Sequence, residues 1–244
     1  MKCNGGLAGS AVNIVGLNAT LTDVIVRIER QDGSTQVTRL TSSTPSFVVE
    51  AMPRRFEVVR TYLTLGVKHI LTGVDHLLFV SGLLLLVTGF RRLLLTISAF
   101  TLSHSVTLTL ATLGFVHVPP PPVEAVIALS ILFVAFEVLR KSDHSLGLAQ
   151  RKPWLVAFTF GLLHGLGFAG GLSAAGLPAG HIPLALAFFS AGVEVGHFSF
   201  VATALLLIAA SRRWMVSLPV WSWRVPPYAI GSVASYWLIV RVAA

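Results

Sequence analysis

The sequence predicts an all-α membrane protein: a bundle of about six transmembrane helices preceded by a short extracytoplasmic β-hairpin region. Three features carry this prediction. Of the 244 residues, 54% are hydrophobic and only 11% charged, with a mean hydropathy of +0.79, whereas a soluble domain carries roughly 25% charged residues. From Phe56 onward the chain is a series of long apolar runs, each near the roughly 20 residues that a bilayer-spanning helix needs. Lys and Arg gather in alternate connections between those runs, the asymmetry that orients membrane helices.

Residues 1–55 differ in kind from the rest. Thr22, Val24, Val26 and Ile28 alternate with Asp23, Ile25, Arg27 and Glu29, and Asp32-Gly33-Ser34 separates this run from Thr35-Gln36-Val37-Thr38. Period-two alternation broken by a Gly-containing turn reads as a β-hairpin. A lone hairpin is marginal in water, so this segment is expected to be the tail of a larger extracytoplasmic domain or to pack on the membrane part, residues 56–244. No long apolar run precedes residue 55, so no signal peptide is visible; an extracytoplasmic hairpin then implies that the natural precursor starts further upstream.

Six spans are expected, at roughly 66–89, 93–116, 121–140, 153–176, 183–210 and 224–243, with the amphipathic stretch 56–68 lying at the interface or extending the first. Pro119–Pro122, Pro153, Pro183, Pro226 and Pro227 stand at the starts of spans, where a missing N–H costs least. Arg91 and Arg92 follow span one, Arg140, Lys141, Arg151 and Lys152 span three, and Arg212, Arg213 and Arg224 span five; the loops after spans two and four contain neither Lys nor Arg. These basic loops should be cytoplasmic, with both termini extracytoplasmic. The net charge of +8 therefore reads as orientation and not as affinity for nucleic acid. The single cysteine, Cys3, excludes an internal disulfide framework and any Cys-rich metal site.

Ionisable groups inside a membrane helix are costly and mark function by default. Span one carries His69, Asp75 and His76; its two histidines, seven apart and so about two turns, share a face, and Gly73 between them can loosen the helix. Asp75 either orients a histidine or is itself a ligand. Span two carries Ser103-His104-Ser105, span four His164, and span five Glu194 and His197 at the i, i+3 spacing of carboxylate–histidine metal sites on bundle helices. Imidazole and carboxylate ligands suit nickel, zinc, iron, copper and manganese. The plain alternative for any single histidine is a hydrogen bond to a neighbouring helix, and the plain reading of Gly161, Gly165, Gly167, Gly170 and Gly171 is close helix packing. Glu124 reads as a carboxylate at a helix N-terminus, Glu137 as a local i, i+3 pair with Arg140 near the cytoplasmic surface. His117, His144 and His181 fall in loops, with His117 and His181 on the outer side.

The run Gly66–Phe79, with His69, five residues and then Asp75-His76, resembles the first signature of the HupE/UreJ family. Phe100–Ser105 looks like that family's second-helix motif, Phe160–Ala169 like its third, and Ser190–His197 like its fifth-helix motif, with Ser190 and His197 standing where the family commonly has Asn and Gln. Cys3–Leu7 with Leu21–Asp23 looks like the tail of the extracytoplasmic domain of longer members. The resemblance implies nickel or cobalt permeation. The expected function is a permease for a divalent transition metal in a bacterial inner (cell) membrane, with His69, Asp75 and His76 as the central site and His104, His164, Glu194 and His197 as further ligands or relay groups. The expected partners are the metal ion and the lipid bilayer, and a homo-oligomer is compatible with the sequence. Two other readings stay open: an intramembrane zinc hydrolase, in which three histidines hold zinc and Glu194 or Asp75 activates water, and a non-catalytic metal-sensing or assembly protein. A hydrolase needs one closed cluster; a permease, ligands strung along the bilayer normal.

Overall fold

The computed structural model describes residues 7, 9–19, 23–29, 35–49, 54–140, 147–168, 170, 172, 177–178, 180–214 and 220–243. Two compact units result, Met1–Val59 with Leu177–Ala185 and Arg60–Gly176 with Leu186–Ala244.

In the first unit, β2 (Val24–Glu29) pairs antiparallel with β3 (Thr35–Leu40), with Val26 opposite Thr38. Val24, Val26 and Ile28 are half-buried, whereas Ile25, Arg27 and Glu29 are exposed, which is the predicted alternation. The predicted turn Asp32-Gly33-Ser34, like Thr22 and Cys3, lies outside the described residues. A second pair, β1 (Ala11–Asn13) with β4 (Ser46–Val48), joins the ends of this segment, and Leu17, Leu40 and Val49 are buried. Arg39 bonds Asp23, and Arg27 lies 2.8 Å from Glu29, two residues along and so on the same face.

The rest is mostly helical: α1 (Arg55–Thr72), α2 (Val74–Leu86), α3 (Phe90–Thr112), α4 (Pro120–Leu139), the short α5 (Leu148–Arg151), α6 (Pro153–Gly167), α7 (Ile182–Trp214) and α8 (Val225–Ala243). Proline opens α4 and α6 at the first helical positions. After α3, Gly114 turns at φ +80. Its N–H bonds the Ala111 carbonyl while that of Phe115 bonds Leu110, the paired closure that a left-handed glycine makes possible.

Three helices are long and apolar enough to cross a membrane: α3, α4 and Ile182–Ser211 of α7. The bent pair α1 and α2 makes a fourth if counted as one span. Among the described residues, length and composition thus support three or four of the six expected spans. Two elements account for the difference. Helix α6 stops after 15 residues, about 22 Å at 1.5 Å per residue, short of a hydrocarbon core of about 30 Å. Helix α8 has the length, but Pro226, Pro227, Tyr228, Tyr236, Trp237 and Arg241 dilute its apolar content.

The predicted first span is not one helix. It breaks at Gly73 and bends by 71°, and the preceding stretch 56–68 continues it backward as α1. Gly73 is extended (φ −77, ψ 93), and a Cβ there would come within 2.8 Å of the His69 carbonyl oxygen and 2.9 Å of His76 Nδ1. Elsewhere glycines bring helices together. A Cβ on Gly161 or Gly165 of α6 would collide with Ser103 and Thr107 of α3, and a Cβ on Gly66 of α1 with the Phe189 carbonyl of α7. This is the close approach expected of small residues in helix bundles. The core consists of apolar side chains from α2, α3, α4, α6, α7 and α8, among them Phe79, Leu83, Ile97, Phe100, Ile131, Val201 and Ile230.

Candidate metal site

The break at Gly73 creates the site. In a straight helix, residues seven apart lie about 10 Å from each other along the axis. The rings of His69, on α1, and His76, in the first turn of α2, have centroids 4.8 Å apart. They share a site because the helix is broken, not because they share a helical face. His104 of α3 completes a triangle: one ligand nitrogen from each of His69, His76 and His104 lies within 4.8 Å of the others. His164 of α6 stands 5.1 Å from His76, and His197 of α7 stands 6.3 Å from it, measured between ring centroids. Histidines from four other helices thus converge on His76. His164 reaches the cluster because Gly161 and Gly165, on either side of it, let α6 lie against α3.

Neighbouring side chains fix which nitrogens face inward. Asp75 Oδ1 accepts both the backbone N–H of His76, at 2.9 Å, and its Nδ1–H, at 3.1 Å; this leaves a lone pair on His76 Nε2. Ser130 Oγ, on α4, donates its one proton to the Ile127 carbonyl at 2.6 Å, so it must accept from His164 Nε2–H at 3.0 Å. The lone pair of His164 is then on Nδ1. Thr101 Oγ1 lies 3.0 Å from His197 Nδ1. Among the described residues, His69 Nε2, His76 Nε2, both ring nitrogens of His104, His164 Nδ1 and His197 Nε2 are buried with no hydrogen-bond partner. Each unsatisfied buried polar atom costs about 1–3 kcal/mol. Phe79 and Phe100 pack on these rings from one side and Phe168 and Phe189 from another, with Phe168 3.9 Å from His69 between centroids. Imidazole donors converging in an apolar shell suit a transition-metal cation.

The two acids differ in position. Asp75 touches the cluster through His76. Glu194 bonds Ser98 Oγ at 2.5 Å through Oε1, while its Oε2 is buried without a partner; it lies outside the histidine triangle. Ser98 and Thr101 on α3 match Glu194 and His197 on α7, both pairs at i, i+3. That repeated spacing is a signal the sequence contained and the reading above passed over, as it passed over Ser130.

A cavity of about 310 Å³ adjoins the cluster, lined by His69, Asp75, His76, His164, Phe168 and, at its rim, Glu124 and Arg241, among others. Glu124 does not act as a cap: it lies beyond the first turn of α4 and pairs with Arg241, 3.3 Å away. Glu137 forms the predicted i, i+3 pair with Arg140 and has a further role. Its ion pair with Arg140 is long, at 3.9 Å; the carboxylate is buried and accepts the Ala149 N–H at the start of α5.

The family described as HupE / UreJ protein matches residues 45–241. No curated protein and no solved structure matches the chain.

Proposed function

We propose that this chain, which belongs to the HupE/UreJ family, carries a divalent transition metal ion, nickel or cobalt, across a bacterial inner membrane through the histidine cluster. The observation that supports this most is the triangle of His69, His76 and His104, with ligand nitrogens within 4.8 Å, joined by the bare nitrogens of His164 and His197. Nitrogen-only ligation without thiolate binds such ions and releases them again. A helix broken within the bundle, with the binding groups at the break, is how many carriers hold a cargo between two gates. In this reading His69, His76 and His104 hold the ion, Asp75 orients His76, His164 and His197 supply ligands as the ion moves, and Glu194 is a relay or exit group on the α7 side. Six crossings with both termini extracytoplasmic complete the reading. Residues 1–55 form the extracytoplasmic segment and 56–244 the membrane domain.

The compactness of the cluster favours a second reading, an intramembrane zinc hydrolase, because one closed set of three histidines beside a cavity is also what metal-assisted hydrolysis needs. Metal content of the purified chain, together with uptake of radioactive nickel and cobalt by cells expressing it, separates the two. A permease accumulates the label, and His76→Ala abolishes accumulation at matched expression. Stoichiometric zinc without accumulation of either ion would sink the transport reading in favour of the hydrolase.

A further inference from the structure

We propose that Glu124 and Arg241 form an outer cation-binding position at the mouth of the histidine cavity, where an incoming divalent cation exchanges with the Arg241 guanidinium at the Glu124 carboxylate. The identity of the cation rests on the metal reading above; the charge selectivity of the mouth does not. Both side chains line the same cavity as His69, Asp75, His76 and His164. Arg241 Nε lies 3.3 Å from Glu124 Oε2, its Nη1 donates to the Glu124 backbone carbonyl at 3.0 Å, and its guanidinium carbon sits 5.3 Å from the centroid of the Trp237 ring. None of these contacts involves a histidine or Asp75, so the guanidinium can leave Glu124 without disturbing the cluster.

Of the two carboxylates in this cavity, Asp75 has its Oδ1 engaged by His76 through two hydrogen bonds and is the more buried of the two, which makes Glu124 the acid that an entering cation meets first. Its side chain is 49% exposed and that of Arg241 24%. Ion pairs this open to water are weak, so a doubly charged ion competes effectively for the carboxylate, and the face of Trp237 offers the released guanidinium a favourable resting place. The pair also sets the sign of what enters. Paired, the two charges cancel. With Glu124 neutralised, Arg241 is a fixed positive charge at a confined mouth and repels cations; with Arg241 neutralised, Glu124 attracts them.

The test reads charge selectivity at the mouth directly. In the full-length chain with Cys3→Ser, Thr72→Cys places a thiol on an exposed residue of the cavity lining. Its labelling rates with a trimethylammonium and a sulfonate methanethiosulfonate are compared in detergent. Relative to this parent, Arg241→Gln should raise the cationic-to-anionic rate ratio about fivefold and Glu124→Gln should lower it about fivefold, a modest share of what focused fields achieve. The double variant should return to within about twofold of the parent, as should Arg241→Lys. Equal labelling after denaturation and a monodisperse elution profile keep misfolded variants out of the comparison. Ratios that move less than about twofold in both single variants overturn the proposal. Nickel chloride added to the parent is a separate arm: it should slow labelling of the Thr72→Cys thiol, and Glu124→Gln should raise the nickel concentration needed. The expected ratios without nickel protection in the parent would overturn the metal reading and leave the charge-selective mouth standing; nickel protection that Glu124→Gln leaves unchanged would overturn the exchange at Glu124.

Discussion

Helix α4 carries two buried polar groups, one at its middle and one toward its C-terminus, and they are treated in opposite ways. Toward its C-terminus, Glu137 is answered on every side. Its carboxylate accepts the Ala149 N–H, Gln150 donates to its carbonyl at 3.1 Å, and Arg92 of α3 closes the junction by donating to the carbonyls of Gln150 at 2.9 Å and Arg151 at 2.6 Å. At its middle, Ser130 supports His164, and beyond it lie six imidazole nitrogens with no partner among the described residues. A satisfied buried network rigidifies a fold; one left unsatisfied costs stability that a chain recovers only when something binds. On the proposed reading, the Glu137 junction belongs to the architecture and the histidine cluster to the function.

Paired substitutions break this contrast most directly. His76→Ala removes the ring on which the others converge, and even residues that merely support a metal ligand contribute 10–100-fold to affinity. A loss of nickel or cobalt affinity of about 100-fold or more is expected by equilibrium dialysis, with the thermal midpoint of the metal-free protein unchanged or raised. Glu137→Ala should do the reverse. It strands the Ala149 N–H and costs about 1–3 kcal/mol, visible as a lower thermal midpoint, with affinity within about twofold of the parent. Saturating metal should raise the midpoint of the parent and of Glu137→Ala, since a ligand at 100 times its dissociation constant contributes about 2.7 kcal/mol, and leave that of His76→Ala in place. Equal affinity losses in both variants would mean that the cluster and the junction are one cooperative unit.

Gly165→Ala sharpens the comparison by attacking the packing that carries the site. The added methyl would collide with Thr107 Oγ1 and the His104 carbonyl. Overpacking of this kind typically costs about 1–3 kcal/mol, and pushing α6 from α3 separates His164 from His104 as well. Stability and metal affinity should fall together here, in contrast to the split seen with His76→Ala and Glu137→Ala. A Gly165→Ala protein with both properties intact would show that the interface has room the close contact denies.

Why the sequence revealed some of this and not the rest follows from the range of the interactions involved. The alternation of Val24, Val26 and Ile28 is local, so the β2–β3 hairpin was legible; the β1–β4 pair joins residues more than thirty apart and left no local mark. The histidines were legible because an imidazole in an apolar run is conspicuous by itself. Their manner of meeting was not: His69 and His76 suggested a shared face, and the 71° break that joins them depends on Gly73, whose neighbours leave no room for a Cβ. Glu124 looked like a helix-terminal acid because Arg241, its partner, is 117 residues away. Glu137 looked local because Arg140 is three residues on, while its stronger contact with Ala149 is twelve residues on and in another helix. The six apolar runs suggested six crossings, of which the described helices support three or four by length and composition, because the length of the apolar run does not reveal that α6 ends at Gly167.

The smallest expected effect concerns Ser130, through which α4 hydrogen-bonds the cluster. Ser130 is fully buried, and its single proton goes to the Ile127 carbonyl. It can therefore only accept from His164, which holds that ring with its proton on Nε2 and its lone pair on Nδ1, the buried nitrogen without a partner. Ser130→Ala removes the acceptor while leaving the ring and its apolar walls in place. The proton is then free to sit on either nitrogen, and the fraction of molecules presenting Nδ1 as a ligand falls. The expected cost is about tenfold in nickel or cobalt affinity, the low end of what supporting hydrogen bonds contribute, with a lower thermal midpoint as well, since the buried His164 N–H loses its acceptor and an unsatisfied buried donor costs about 1–3 kcal/mol. Histidine ¹⁵N chemical shifts distinguish the two tautomers. In the parent the His164 signal should report a proton on Nε2, and in Ser130→Ala a mixture. A weakened site with an unchanged tautomer would assign the effect to packing around α4 and break the link between Ser130 and the metal; an unchanged site with a mixed tautomer would place His164 outside the set of ligands.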